Sequence, residues 1–334
     1  MPFSQLSGYE PITRVFTRTI EREAYHSAYL FHGPAGVGKR RLAEAFAKAM
    51  FCQRLKGDFC GECSACKRME SGRFPDYRVI EPDGAYIKID QLRDMMREAA
   101  VQPYEAKRKV FVIDPAHQMR PEAANSVLKV LEEPFAFSTF ILITSSPEAI
   151  LPTIDSRCQK IRFSPLPYNA LAGQLQREHD LDRKTAATLA RVSGGRPGLA
   201  VELMQGDFTS DRDSVIEHLA ALAEHRDLEA LRLSQHLRSK RDDVQKFLLL
   251  LVPVLRDAAL LKDEPESEQL LNLDRREDIQ RATASIAKED LVSAWHEATE
   301  CSMNVQQMAN PQAQVERCLM ALCPVSGRLP GDRL

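Results

Sequence analysis

The 334-residue chain has almost no net charge: 45 Lys and Arg stand against 47 Asp and Glu, a formal −2 at pH 7. That excludes a nucleic-acid binder working through a global basic field alone. No apolar run approaches the ~20 residues that a membrane-spanning helix needs. The opening MPFSQLSGYEPITRVF has neither the basic start nor the apolar stretch of a signal peptide. No membrane association and a cytoplasmic, reducing location are therefore expected. Repeats and low-complexity tracts are missing too. What remains, 44% hydrophobic and 28% charged residues, is ordinary globular composition over a length sufficient for two or three domains. A local basic cluster, Lys107-Arg108-Lys109, reads as solvated surface.

One further absence is chemical. GPAGVGKRRLA follows the phosphate-loop pattern through Gly33, Gly36, Gly38 and Lys39, then places Arg40 where the pattern has Ser or Thr. In a working loop the backbone N–H groups wrap the phosphates, the lysine neutralises them, and the hydroxyl ligates magnesium. Arginine has no lone pair for a metal and is always charged. Aimed at magnesium from ~4 Å it would cost on the order of 8 kcal/mol at an effective dielectric near 20, so it is expected to point elsewhere. A second loss lies in KVFVIDPAHQM. The strand ends in Asp114, an acidic metal-holding position, but Pro115 stands where a glutamate would orient the attacking water. The two losses together argue against multiple-turnover hydrolysis. ATP or ADP held by Lys39 and the backbone amides without turnover remains compatible.

From about residue 27 to 163, strand-like runs (AYLFHG, DYRVIEP, KVFVID, TFILITS, QKIRF) alternate with helix-period segments (RRLAEAFAKAMF, IDQLRDMMREAAV, PEAANSVLKVLEE). Four of the runs lack in/out alternation. This predicts a doubly wound α/β domain on a parallel sheet, with the phosphate loop after its first strand. After Pro167 the strand signal fades. NALAGQLQREH, KTAATLARVSGG and LAVELMQGD read as three short helices ending near Gly206, and from about Asp211 a longer helical series follows, ending in a loose tail, VSGRLPGDRL.

Cysteine is uneven. Cys52, Cys60, Cys63 and Cys66 fall in one short stretch, whereas Cys158, Cys301, Cys318 and Cys323 are scattered. Four thiolates so spaced let the backbone curl around a tetrahedral ion, and soft ligands with no open position suit structural zinc. An iron–sulfur cluster and independent reduced thiols are the alternatives. The scattered four read as inert buried side chains.

These features, in this order, resemble the clamp-loader subunits of bacterial DNA polymerase III: the phosphate loop, the four-cysteine insertion after its helix, Asp114-Pro115-Ala116-His117, SVLKVLEEP, then Ser156-Arg157-Cys158. The resemblance covers about residues 1 to 207. Arg40 and Pro115 put the chain on the side of the delta-prime subunits, similar in fold to the motor subunits and degenerate in chemistry. It implies an AAA+ P-loop α/β domain over 1–163 with the zinc-binding insertion at 52–66, a helical lid over 164–207 and an all-α collar over 208–334 that holds a heteropentamer together. It also implies a role for Arg157, an arginine finger acting in trans on a neighbour's nucleotide. Read without the family, Arg157 tops a helix C-terminus or pairs with Asp155. Thr144 takes the place of the first sensor and Arg196 that of the second, although Pro197 departs from the motor pattern. Implied partners are the motor ATPase subunits, the delta subunit, the sliding clamp and primer–template DNA. An active clamp-loader ATPase is one rival. A zinc-dependent nucleic-acid-binding protein on the same scaffold is another, and it requires tight, salt-dependent DNA binding by the monomer that is lost with Cys60 or Cys63.

Overall fold

The computed structural model describes residues 2, 3, 6, 8–205, 207–224, 241–306 and 310–322. The part of the expected helical series over 225–240, including LEALRLSQHLRSK, the boundary at Gly206 and the tail over 325–334 lie outside these residues. The chain divides into two compact units, Met1–Asp180 with Gly195–Leu199, and Leu181–Gly194 with Ala200–Leu334.

In the first unit all five expected strands form: β1 (Ala28–His32), β2 (Tyr77–Ile80), β3 (Lys109–Ile113), β4 (Ser138–Thr144) and β5 (Gln159–Arg162). They pair parallel in the order β2-β3-β4-β1-β5. The central three, β1, β3 and β4, are buried almost throughout, which is why their sequences run apolar without alternation. The edge strands differ from expectation: β2 is half-buried, and β5 buries Ile161 alone, with no strand among the described residues pairing to its outer side.

Helices α1 (Glu10–Glu21), α2 (Lys39–Phe51), α3 (Ser64–Glu70), α4 (Ile89–Ala99), α5 (Pro121–Glu132), α6 (Pro152–Asp155) and α7 (Tyr168–His179) complete this unit, with residues 197–199 at the start of a later helix. Side-chain alternation along the sheet splits its core in two. Leu30, Phe111, Phe140 and Leu142 join Leu92, Met95 and Val127 of α4 and α5 in one layer. Tyr29 and Phe31 meet Phe16 of α1 and Phe46 of α2 in another, with the Phe16 and Phe46 rings stacked at 4.3 Å. Pro121 opens α5, where a missing N–H costs nothing.

The second unit is helical: α8 (Arg183–Val192), the end of α9 (Pro197–Leu203), α10 (Phe208–Glu224), α11 (Arg241–Asp263), α12 (Arg276–Ala282), α13 (Lys288–Gln306) and α14 (Pro311–Leu322). Leu248, Leu251 and Leu255 of α11 and Leu291, Ala294 and Ala298 of α13 are buried at helical spacing. The wholly buried carboxylate of Asp257 is satisfied by Leu271 N, both nitrogens of Asn272 and Arg256. Among the described residues no helix is long and apolar enough to cross a membrane.

Candidate functional site

The loop between β1 and α2 has the backbone of a phosphate loop. Gly33 (φ +144°) lies so close to Phe163 that a Cβ would stand 2.2 Å from its carbonyl oxygen, and a Cβ at Gly38 (φ +84°) would stand 2.6 Å from the Tyr9 hydroxyl. That hydroxyl donates to Val37 O at 2.9 Å, and Gly198 N donates to Gly36 O at 2.8 Å. Arg196, half-buried, has its Cβ 3.6 Å from where a Cβ on Gly36 would lie. The buried Lys39 ammonium donates to Gly33 O at 2.6 Å and Pro34 O at 2.7 Å, and burial pulls its pKa down to about 8 against the opposing pull of Asp114.

Arg40 does not turn away as electrostatics against a bound metal would require. Its Nε donates to Glu44 Oε1 at 2.9 Å, and one Nη reaches Glu81 Oε1 at 3.3 Å and Asp114 Oδ2 at 3.2 Å. With no divalent ion to avoid, the guanidinium binds the acid that would hold one. Burial raises the Asp114 pKa, with Arg40 and Lys39 pulling the other way. A magnesium site therefore does not fit these residues: no hydroxyl is present at position 40, and the carboxylate of Asp114 already has a cation. Thr144, wholly buried at the end of β4, accepts from Ser146 N at 3.0 Å, and its Oγ lies 3.0 Å from His117 Nδ1.

Arg157, just after α6, donates to Thr153 O at 2.9 Å and to Ser156 Oγ at 3.3 Å, and pairs with Glu132 at 2.7 Å. So it does top a helix end, while Asp155 pairs with Lys160 rather than with it. Its side chain stays 35% exposed, open enough to reach a partner. Burial pushes the neighbouring Cys158 thiol up to about 12, consistent with an inert side chain.

The four clustered cysteines converge, with all Sγ atoms of Cys52, Cys60, Cys63 and Cys66 within 4.8 Å of one another. Leu55 N donates to Cys52 Sγ at 3.4 Å and Cys63 N to Cys60 Sγ at 3.3 Å. Backbone donation from Glu62 and Cys63 draws the Cys60 pKa below the usual thiol value. Four soft donors at that separation, two already accepting N–H bonds, fit a tetrahedral thiophilic ion.

Sequence reading did not find the partners of these groups. Glu44 was accessible, being one helical turn past Arg40. Glu132 lies inside SVLKVLEEP, where nothing local marks it as a partner of Arg157. Glu81, His117 on Thr144, and Gly198 on the loop needed the fold, because each comes from a different strand end or helix.

Fold and site together define a P-loop α/β unit on a five-stranded parallel sheet, followed by a helical region. The family described as DNA polymerase III, delta subunit, is matched over residues 8–167. Related proteins include the DNA polymerase III subunit delta' of Bacillus subtilis, 36% identical over 217 residues, which is 64% of this chain and 65% of that protein. The delta' subunit of Pseudomonas aeruginosa is 38% identical over 206 residues, 60% of this chain and 62% of that one. The tau subunit of Bacillus subtilis is 37% identical over 183 residues, 54% of this chain and 32% of that one. The matched stretch thus spans a little under two thirds of the delta' relatives.

Proposed function

We propose that the chain is a non-motor, delta-prime stator subunit of a DNA polymerase III clamp loader. It helps to load a sliding clamp onto primer–template DNA in the cytoplasm, beside motor ATPase subunits and a delta subunit in a heteropentamer. The observation that carries this reading is the Arg40–Asp114 ion pair, 3.2 Å across the site where a motor needs magnesium, with Pro115 in place of a base. The three-domain division at 163/164 and 207/208 and structural zinc on the four cysteines belong to the same reading.

In this role the useful chemistry faces outward. A planar, permanently charged guanidinium suits the charge that develops on a transferring phosphoryl group, and Arg157 is held by Glu132 and Thr153 O, which limit its rotamers before any neighbour docks. The test is reconstitution with motor and delta subunits, comparing wild type with Arg157→Ala. Assembly should survive while DNA-stimulated hydrolysis by the complex falls; unchanged hydrolysis and clamp loading would exclude the finger.

The tau relative supports a second reading, an active clamp-loader ATPase. Hydrolysis by the isolated chain that Lys39→Ala abolishes would establish it and end the stator assignment.

A further inference from the structure

Arg40 draws its partners from three places: Glu44 one turn along α2, Glu81 directly after β2, and Asp114 directly after β3. Side-chain oxygens of all three lie 2.9–3.3 Å from guanidinium nitrogens. These are hard oxygen ligands of the kind magnesium and manganese take at ~2.0–2.2 Å, and a nitrogen this close to Asp114 Oδ2 leaves no room for an ion on that oxygen. The charges are largely offset as well. With Lys39 close enough to act on Asp114, two cations face three carboxylates, so most of the negative charge is already compensated as folded.

We propose that the Arg40 guanidinium is a built-in replacement for the divalent cation of this loop: it excludes the metal actively, and any phosphate-bearing ligand the loop accepts is bound without one. The inference deepens the reading of the loop as non-hydrolysing and rests on that part of it. It does not depend on the chain's role in a complex, so metal binding by the isolated chain and hydrolysis by the reconstituted assembly can fail separately.

Removing the guanidinium while keeping the carboxylates turns the cluster into a cation site. Arg40→Ser also restores the hydroxyl that the phosphate-loop pattern carries at this position. The probe is Mn2+ alone, with free ion counted by its paramagnetic resonance signal, on the full chain. Wild type should show no Mn2+ binding that depends on Asp114. Arg40→Ser should gain one Mn2+ about tenfold or more tighter than wild type, displaced by Mg2+ and lost again in the Arg40→Ser/Asp114→Asn double variant. Arg40→Lys, which keeps a cation, should exclude the ion as wild type does; a merely structural role for Arg40 predicts no such difference between serine and lysine. Two results overturn the proposal: a wild-type Mn2+ site that Asp114→Asn removes, or Arg40→Ser and Arg40→Lys binding Mn2+ alike. If circular dichroism shows Arg40→Ser unfolded, calorimetry of ATP binding to wild type decides. Affinity that rises about tenfold or more when Mg2+ replaces a chelator refutes metal exclusion, and affinity, or lack of binding, indifferent to Mg2+ supports it.

Discussion

The coupling between Arg40 and Asp114 should be measurable as a free energy and should vanish in acid. At 3.2 Å and an effective dielectric near 20, the gross attraction of the pair is about 5 kcal/mol. The guanidinium is shared with Glu44 and Glu81, and the two side chains are 31% and 21% exposed, so solvent screens part of this. Fully exposed pairs contribute about 0.2–1 kcal/mol, while breaking a fully buried one costs about 3–5, which places this pair at roughly 1–2 kcal/mol. A double-mutant cycle of Arg40→Ala, Asp114→Asn and both, read by urea unfolding near pH 7.5, should return a coupling of that size. The pH dependence has a definite sign. Burial already raises the Asp114 pKa in the folded protein, and loss of Arg40 raises it further. A folded-state carboxyl pKa above its unfolded value means the native state binds more protons, so the destabilisation of Arg40→Ala shrinks as pH falls through that raised pKa. A coupling below about 0.3 kcal/mol, or an Arg40→Ala deficit that stays constant down to pH 4, would refute the ion pair as described.

Three further outcomes follow from the same structure. Zinc should be present at one equivalent per chain by elemental analysis; Cys66→Ala should lose it, and metal held near 1,000 times its Kd should stabilise the fold by about 4 kcal/mol relative to chelated protein. Asp76, only 1% exposed, accepts from Tyr104 N, Glu105 N and Ala106 N at 2.8 Å each, so Asp76→Asn, which turns a donor toward that row, should cost about 2–4 kcal/mol in urea unfolding. Lys39, labelled by reductive 13C-methylation and followed by NMR, should titrate near pH 8, well below exposed lysines. Because its pKa is depressed on folding, its contribution to stability increases as pH rises from about 8 toward the unfolded value of 10.5.

Much of the fold was legible because its central strands are fully buried. VFVI and FILI carry no alternation, so they announce a sheet covered on both faces, and Pro121 and Pro134 bracket the helix between them. The edges were less legible: QKIRF alternates polar and apolar residues, in keeping with its exposure, but that both it and DYRVIEP lie at the sheet edges follows from strand order, which no local window encodes. At the site, residues fixed by chemistry stood out, namely the loop glycines, Lys39, Asp114 and the clustered cysteines. Direction did not. Arg40 is visibly the wrong residue for a metal ligand, but its destination depends on Glu81 and Asp114, which the β2–β3 pairing sets side by side. The same limit applies to Arg157, whose partner Glu132 is at the far end of α5 and not the neighbouring Asp155.

Under the proposed stator reading the loop has no chemical need of three glycines, yet their removal would disturb packing. Phe163 O closes on Gly33, Gly198 N bonds to Gly36 O, and the Tyr9 ring rests on Gly38, so the loop joins the N-terminal segment, the end of β5 and the start of α9. Lys39 is spent on two carbonyls of its own loop and Arg40 on three carboxylates, so its cationic groups already have protein partners. A motor needs the reverse, a loop whose partners change when phosphate arrives and leaves, because that change is what couples hydrolysis to motion. Here Lys39 and Arg40 would first have to give up protein partners before they could answer to phosphate. For a subunit that offers Arg157 to a neighbour, constancy of shape is the useful property, since an arginine displaced by even about 1 Å loses much of its effect on a developing charge.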